Sequence, residues 1–127
     1  MSKSKKKITE YSLLLPIFNQ KIKILIGCKT ALEAKLDKED LVLENLDTAD
    51  ACCFSLDEIM YIWFETNPKI SIIAHEAAHA TFAIMSSYGL DIKDQEVFCY
   101  ILEFLVDNIL KCVTTTLPIV TDHINQK

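Results

Sequence analysis

The sequence predicts an α+β domain on three observations. Alternating or β-rich runs occupy much of the first half, two long segments of helical spacing fill the second, and no repeat, low-complexity block or interdomain linker divides them. A chain of 127 residues, half of them hydrophobic, buries one sizeable core but not a core and a second lobe. Residues 1–127 are therefore read as a single domain, with residues 1–8 as a disordered basic tail because Lys3, Lys5, Lys6 and Lys7 crowd its start.

The elements follow in order. Ile8 to Pro16 is apolar but interrupted by Glu10 and lacks a small-residue cleavage site, so it belongs to the mature fold rather than to a secretory signal. Lys21-Ile22-Lys23-Ile24-Leu25-Ile26 begins in strict alternation and ends apolar at Gly27, which makes a strand. Thr30 followed by Glu33 has capping-box spacing, and Ala31 to Leu36 supplies a short helix behind it. Asp37 to Asp50 is acidic and irregular, a surface loop. Ala51 to Ser55 and Ile59 to Phe64 are β-rich arms around Leu56-Asp57-Glu58, as in a hairpin. The second arm is apolar on both faces and needs cover on each.

Asn67-Pro68 then offers an N-cap and a proline at the first helical position of a helix that runs to about Gly89. A short link through Asp91 and Asp94 leads to a second long helix, Gln95 to about Val113, whose apolar side carries Val97, Ile101, Phe104 and Leu105. Glu96, Tyr100, Glu103 and Asp107 fall on another stripe. Beyond Pro118 the chain reads as a weak tail in which His123 is exposed and inert.

Composition narrows the partners. The net charge is −5, and all thirteen basic residues are lysines. Without arginine the bidentate reader of guanine and phosphate is missing, so no nucleic-acid partner is expected. No run is long and apolar enough for a bilayer span, so no membrane partner is expected either. Five cysteines make an odd count without metal-type spacing, which favours reduced, mostly core thiols and a cytoplasmic setting.

The chemistry lies in Ile73-Ala74-His75-Glu76-Ala77-Ala78-His79-Ala80. Imidazoles at i and i+4 of a helix project from one face, one turn apart, close enough to ligate a single metal ion, usually Zn2+. Glu76 sits beside that face, where a carboxylate can accept the proton of a water acidified by the ion. The set reads as metal-assisted hydrolysis with Glu76 as general base. Two of the chain's three histidines fall in this mostly apolar helix, where unpaired imidazoles would be costly to bury. The second hairpin arm, Ile59 to Phe64, is expected to run beside the metal as an edge strand that offers main-chain groups to an extended peptide.

A metal needs at least one further protein ligand, and the next helix offers Glu96 at its start. His-Glu-x-x-His followed by a carboxylate on a later helix resembles the gluzincin branch of zinc metallopeptidases. That resemblance places the third ligand at Glu96, seventeen residues beyond His79. Where those families carry Asn-Glu-x-x-Ser-Asp, this chain has Gln95-Glu96-Val97-Phe98-Cys99-Tyr100, so Tyr100 replaces the Asp that supports a histidine. From the hairpin through the second helix the chain also resembles small metallopeptidases encoded by phages and prophages. What this implies is a minimal zincin-like domain, a small β-sheet packed on the HExxH helix and a second long helix, working in the host cytoplasm. Three classes remain: a zinc peptidase, a catalytically silent zincin-like zinc-binding or protein-interaction domain, and a metal-free α+β interaction domain. Cys99 is either a thiolate near the metal or a buried neutral thiol packed beside it, and Tyr100 either an oxyanion donor or a structural link between the helices.

Overall fold

The alternation of Lys21-Ile22-Lys23-Ile24 becomes a strand because one face of it is covered and the other wet. In the computed structural model, which describes residues 7–43, 46 and 49–116, this strand is β2 (Gln20–Ile26). It joins β1 (Thr9–Leu15), β3 (Ala51–Leu56) and β4 (Ile59–Phe64) in a sheet of order β1-β2-β4-β3. Three helices are present among the described residues: α1 (Lys29–Lys38), α2 (Ile70–Ser87) and α3 (Gln95–Thr116). The architecture is α+β, as the sequence predicts. Strands β1 and β2 are antiparallel, β2 and β4 parallel, and β4 and β3 antiparallel.

The two faces of the sheet explain the two residue patterns in it. Ile22, Ile24 and Ile26 of β2 and Met60, Ile62 and Phe64 of β4 pack in one buried cluster with Ile73, Ala77, Ala80 and Ile84 of α2 and Ile101, Leu105 and Ile109 of α3. On the opposite face Leu25 pairs in register with Trp63, and both pack with Leu32 and Leu36 of α1 and with Leu46. This is why lysine gives way to leucine along the outer face of β2. It is also the cover that the doubly apolar second hairpin arm requires. Trp63 is fully buried, and its indole N–H donates to the Gly27 carbonyl at 3.0 Å.

The N-terminal segment is structured earlier than the basic-tail reading suggests. Residues 1–6 lie outside the described residues, but Ile8 packs on the Trp63 cluster and crosses Gly27. A Cβ on Gly27 would stand 2.8 Å from the Lys7 carbonyl oxygen, so only glycine admits that crossing. In β1, Tyr11, Leu13 and Leu15 face the α2/α3 core, while Glu10 on the other face pairs with Lys23 at 3.0 Å and Lys35 at 3.2 Å. The Tyr11 hydroxyl and Thr116 Oγ1, 2.7 Å apart, tie the end of α3 to this strand.

Two helix starts differ from the sequence reading. Helix α1 begins at Lys29 with Cys28 as N-cap, so Thr30 already lies inside the first turn and its capping box does not form. Helix α2 begins at Ile70 rather than at Pro68. Asn67 takes a left-handed φ of 60°, which asparagine tolerates, and Lys69 is the extended N-cap. The helix ends in a Schellman motif, with Gly89 at φ 68° and Leu90 N–H donating to the Met85 carbonyl at 2.8 Å. Asp94 caps α3, its Oδ1 accepting from Val97 N–H at 3.2 Å. No helix among the described residues is long and apolar enough to cross a membrane. Pro118 and His123 lie outside the described residues.

Candidate functional site

Small residues set the position of the motif helix. Ala77 and Ala80 are fully buried and end at Cβ, so the backbone of α2 lies close against the sheet. At about 100° per residue, His75 and His79 then fall on the side of α2 away from that contact, and both are exposed. Glu76 is turned one step from His75 toward β3 and is buried. The Nε2 atoms of His75 and His79 face each other at 3.1 Å, and Glu76 Oε2 stands 3.9 Å from His75 Nε2. His75, His79 and Glu76 thus meet at one place on the surface.

The histidine pair fits an ion. Two nitrogens at about 2.0–2.1 Å from a tetrahedral zinc stand about 3.3 Å apart, close to the observed separation. Without an ion, one ring's Nε2–H can donate to the other ring's Nε2; an ion between them would take both lone pairs instead. The remaining ring nitrogens have no hydrogen-bond partner among the described residues, so nothing here fixes their tautomers.

Glu96 stands apart from this group. Among the described residues no set of three or more His, Cys, Asp or Glu side chains converges as a metal site. The ring of Phe98 meets Phe82 of α2 with centroids 5.1 Å apart, which marks the side of α3 that faces α2. Glu96 is two residues away, about 160° around the helix by the shorter path, on an exposed stripe with Cys99, Glu103 and Asp107. Cys99 is therefore exposed rather than buried beside the motif helix. Tyr100 is half-buried and packs on the core.

The strand expected at the sheet edge is not there. β4 is paired on both sides, by β2 and by β3, so the Ile59 to Phe64 run has no free edge for a peptide. Its two apolar faces already mark a central strand, because only a strand covered above and below has that pattern. The edge beside the motif helix is β3. Asp50 accepts from Glu65 N–H across the β3/β4 ladder, so by alternation Ala51, Cys53 and Ser55 direct their main-chain groups outward. From Ser55 a cleft of about 560 Å³ continues between the end of α2, at Ala83 and Ser87, and the hairpin turn at Asp57 and Glu58.

One residue of the site was not singled out by its sequence pattern. Cys53 lies inside the edge strand with its side chain toward α2, and its thiol is 3.4 Å from Glu76 Oε1 and 3.3 Å from the Glu76 carbonyl oxygen. Burial, and after it the Glu76 charge, push the Cys53 thiol up, and the same causes push Cys52 up to about 11. Both stay protonated at neutral pH, and Cys53 is a donor. Alternation along Ala51-Cys52-Cys53-Phe54 carries the signal, since it puts Cys53 on the motif-helix face and Cys52 on the Trp63 face. No disulfide joins the five cysteines. No protein-family model matches the chain, and no curated protein or solved structure matches it.

Proposed function

We propose that this protein is a zinc-dependent metallopeptidase, with His75 and His79 as metal ligands, Glu76 as general base and β3 as the strand that aligns a peptide or protein substrate. The observation that carries this reading is the facing Nε2 pair with a buried carboxylate beside it, one step from an open sheet edge. Zinc held there supplies Lewis acidity, lowering the pKa of water and polarising the scissile carbonyl. Glu76 accepts the proton of the attacking water at Oε2 and returns it to the leaving amine. The outward N–H and C=O groups of Ala51, Cys53 and Ser55 pair with an extended chain as an added strand. Glu96 enters as third ligand only through the gluzincin resemblance. The absence of disulfides suits a cytoplasmic setting, that of a host cell if the gene is carried by a phage.

A second reading, a zincin-like domain that binds zinc or a partner protein without turnover, is favoured by one observation. Catalytic zinc sites ordinarily have three protein ligands, and among the described residues no third His, Cys, Asp or Glu side chain completes a metal site with the histidines. An unbiased peptide library separates the two. The peptidase reading expects cleavage that a chelator abolishes and zinc restores; stoichiometric zinc with no cleavage of any member leaves the silent reading.

A further inference from the structure

The general base assigned above needs two properties that oppose each other. It must be held in one orientation, so that Oε2 points at the histidine face. It must also keep its lone pairs free for the proton of water, and a cationic partner would occupy them. A lysine or arginine at Glu76 would meet the first need and defeat the second. No lysine pairs with Glu76 among the described residues; its side-chain partners are His75 on one side and the Cys53 thiol on the other.

We infer that Cys53 is a positioning residue for Glu76: its S–H donates to Oε1 and leaves Oε2 directed at the histidine face. The geometry has two parts. Sγ lies 3.4 Å from Oε1 and 3.3 Å from the carbonyl oxygen of the same residue; its one hydrogen goes to the carboxylate oxygen, the stronger acceptor, because inside α2 the carbonyl already accepts along the helix. Strand β3 holds the sulfur there, because Cys53 is paired in register with the fully buried Ile62 of β4 and cannot shift without breaking the ladder. A thiol is a weak donor. It orders the carboxylate without setting a cation beside it. Oxidising or alkylating agents that reach Cys53 remove the donor.

This inference rests on the peptidase reading, and the experiment separates the two. Three variants are compared: Cys53→Ser keeps a donor, Cys53→Ala deletes it, and Cys53→Val deletes it while keeping bulk suited to a strand. On a library peptide that the parent protein cleaves, Cys53→Ala and Cys53→Val should lower kcat roughly tenfold or more with KM little changed, and Cys53→Ser should hold kcat within about threefold. Zinc affinity should be the same in all four proteins, since Cys53 touches no ligand. A second readout needs neither zinc nor activity. The S–H stretch absorbs where other protein groups do not, and the parent-minus-Cys53→Ser infrared difference isolates the Cys53 band. That band should lie below the free-thiol frequency and rise in Glu76→Gln. Full kcat in Cys53→Ala and Cys53→Val, or a band indifferent to Glu76→Gln, overturns the role of Cys53 and leaves the peptidase reading standing. A parent protein that cleaves nothing overturns the peptidase reading, and the catalytic consequence drawn here falls with it.

Discussion

Stripping and restoring zinc should move the melting temperature through the two histidines alone. Both rings are exposed, the His75 side chain by 65%, so neither contributes much to the metal-free fold. In metal-free protein His79→Ala should therefore stay within about 0.5 kcal/mol of the parent, helped by the better helix propensity of alanine. On the proposed reading zinc would bind the native state alone, because only the helix brings the two Nε2 atoms to 3.1 Å. At free zinc a hundredfold above Kd the native state gains about 2.7 kcal/mol. For a domain of this size that is a rise of roughly 10 °C. The assay is a thermal scan of tag-free protein by circular dichroism, with and without zinc, for the parent and for His79→Ala. The parent should show the rise and the variant should lose most of it while keeping its metal-free melting temperature. A zinc-dependent rise that survives in His79→Ala would place the ion elsewhere. A parent that binds no zinc and shows no rise would refute the metal centre itself.

Two further outcomes are expected. Glu76→Gln keeps the side-chain volume and should retain zinc, but it removes the proton acceptor, so hydrolysis of any peptide the parent cleaves should fall by about 10²-fold or more; full activity in that variant would refute the assignment of the base. Burial pushes the Glu10 carboxyl up, but hydrogen bonds from Lys23 and Lys35 outweigh it and hold it below the usual range. A group lowered in the folded state adds stability above its unfolded pKa and loses it as pH falls through the folded value. Glu10→Gln should thus be slightly less stable than the parent in urea at neutral pH, and the two midpoints should converge as pH falls through the carboxylate range.

How much of this was legible depended on whether a residue's surroundings were local. The strand at Lys21 to Ile26, the hairpin and both long helices follow from periodicities that any short window contains. The identity of the edge strand does not. Ala51 to Leu56 and Ile59 to Phe64 look alike as arms of a hairpin, and which one is central is decided by β2, which pairs in parallel with β4 across an intervening helix and strand. The two apolar faces of Ile59 to Phe64 did carry that information, through Trp63 and its distant partners Leu25 and Leu32. Helix starts differ from their sequence signals where a side chain has two uses: Thr30 has capping chemistry, but Cys28 in an extended conformation precedes the first turn. At the site, the spacing of His75, Glu76 and His79 fixed their mutual geometry because all three ride on one helix. Glu96 rides on another, so its distance from them depends on how α3 is rotated, which no spacing within α3 can set.

That rotation leads to the last expectation, for Glu96→Ala. Its carboxylate lies in the first turn of α3, behind the Asp94 cap, where negative charge complements the helix N-terminus by about 0.3–1 kcal/mol. This gives Glu96 a reason to be acidic without any metal. Phe98, held against Phe82, fixes the face that α3 turns to α2, and Glu96 is about 160° from it, with Glu103 about 140° and Asp107 about 180° away. None of the three acids faces the histidine pair. If α3 keeps this rotation when zinc binds, Glu96→Ala should leave zinc affinity within about threefold, whereas His75→Ala or His79→Ala should reduce it by about 10²-fold or more. The thermal scan distinguishes the two roles directly. A helix-terminal charge lowers the melting temperature by the same amount with and without zinc, while a ligand lowers it only with zinc. A loss confined to the zinc-loaded protein would mean that the first turn of α3 rotates onto the ion, and it would restore the third ligand that the gluzincin resemblance expects.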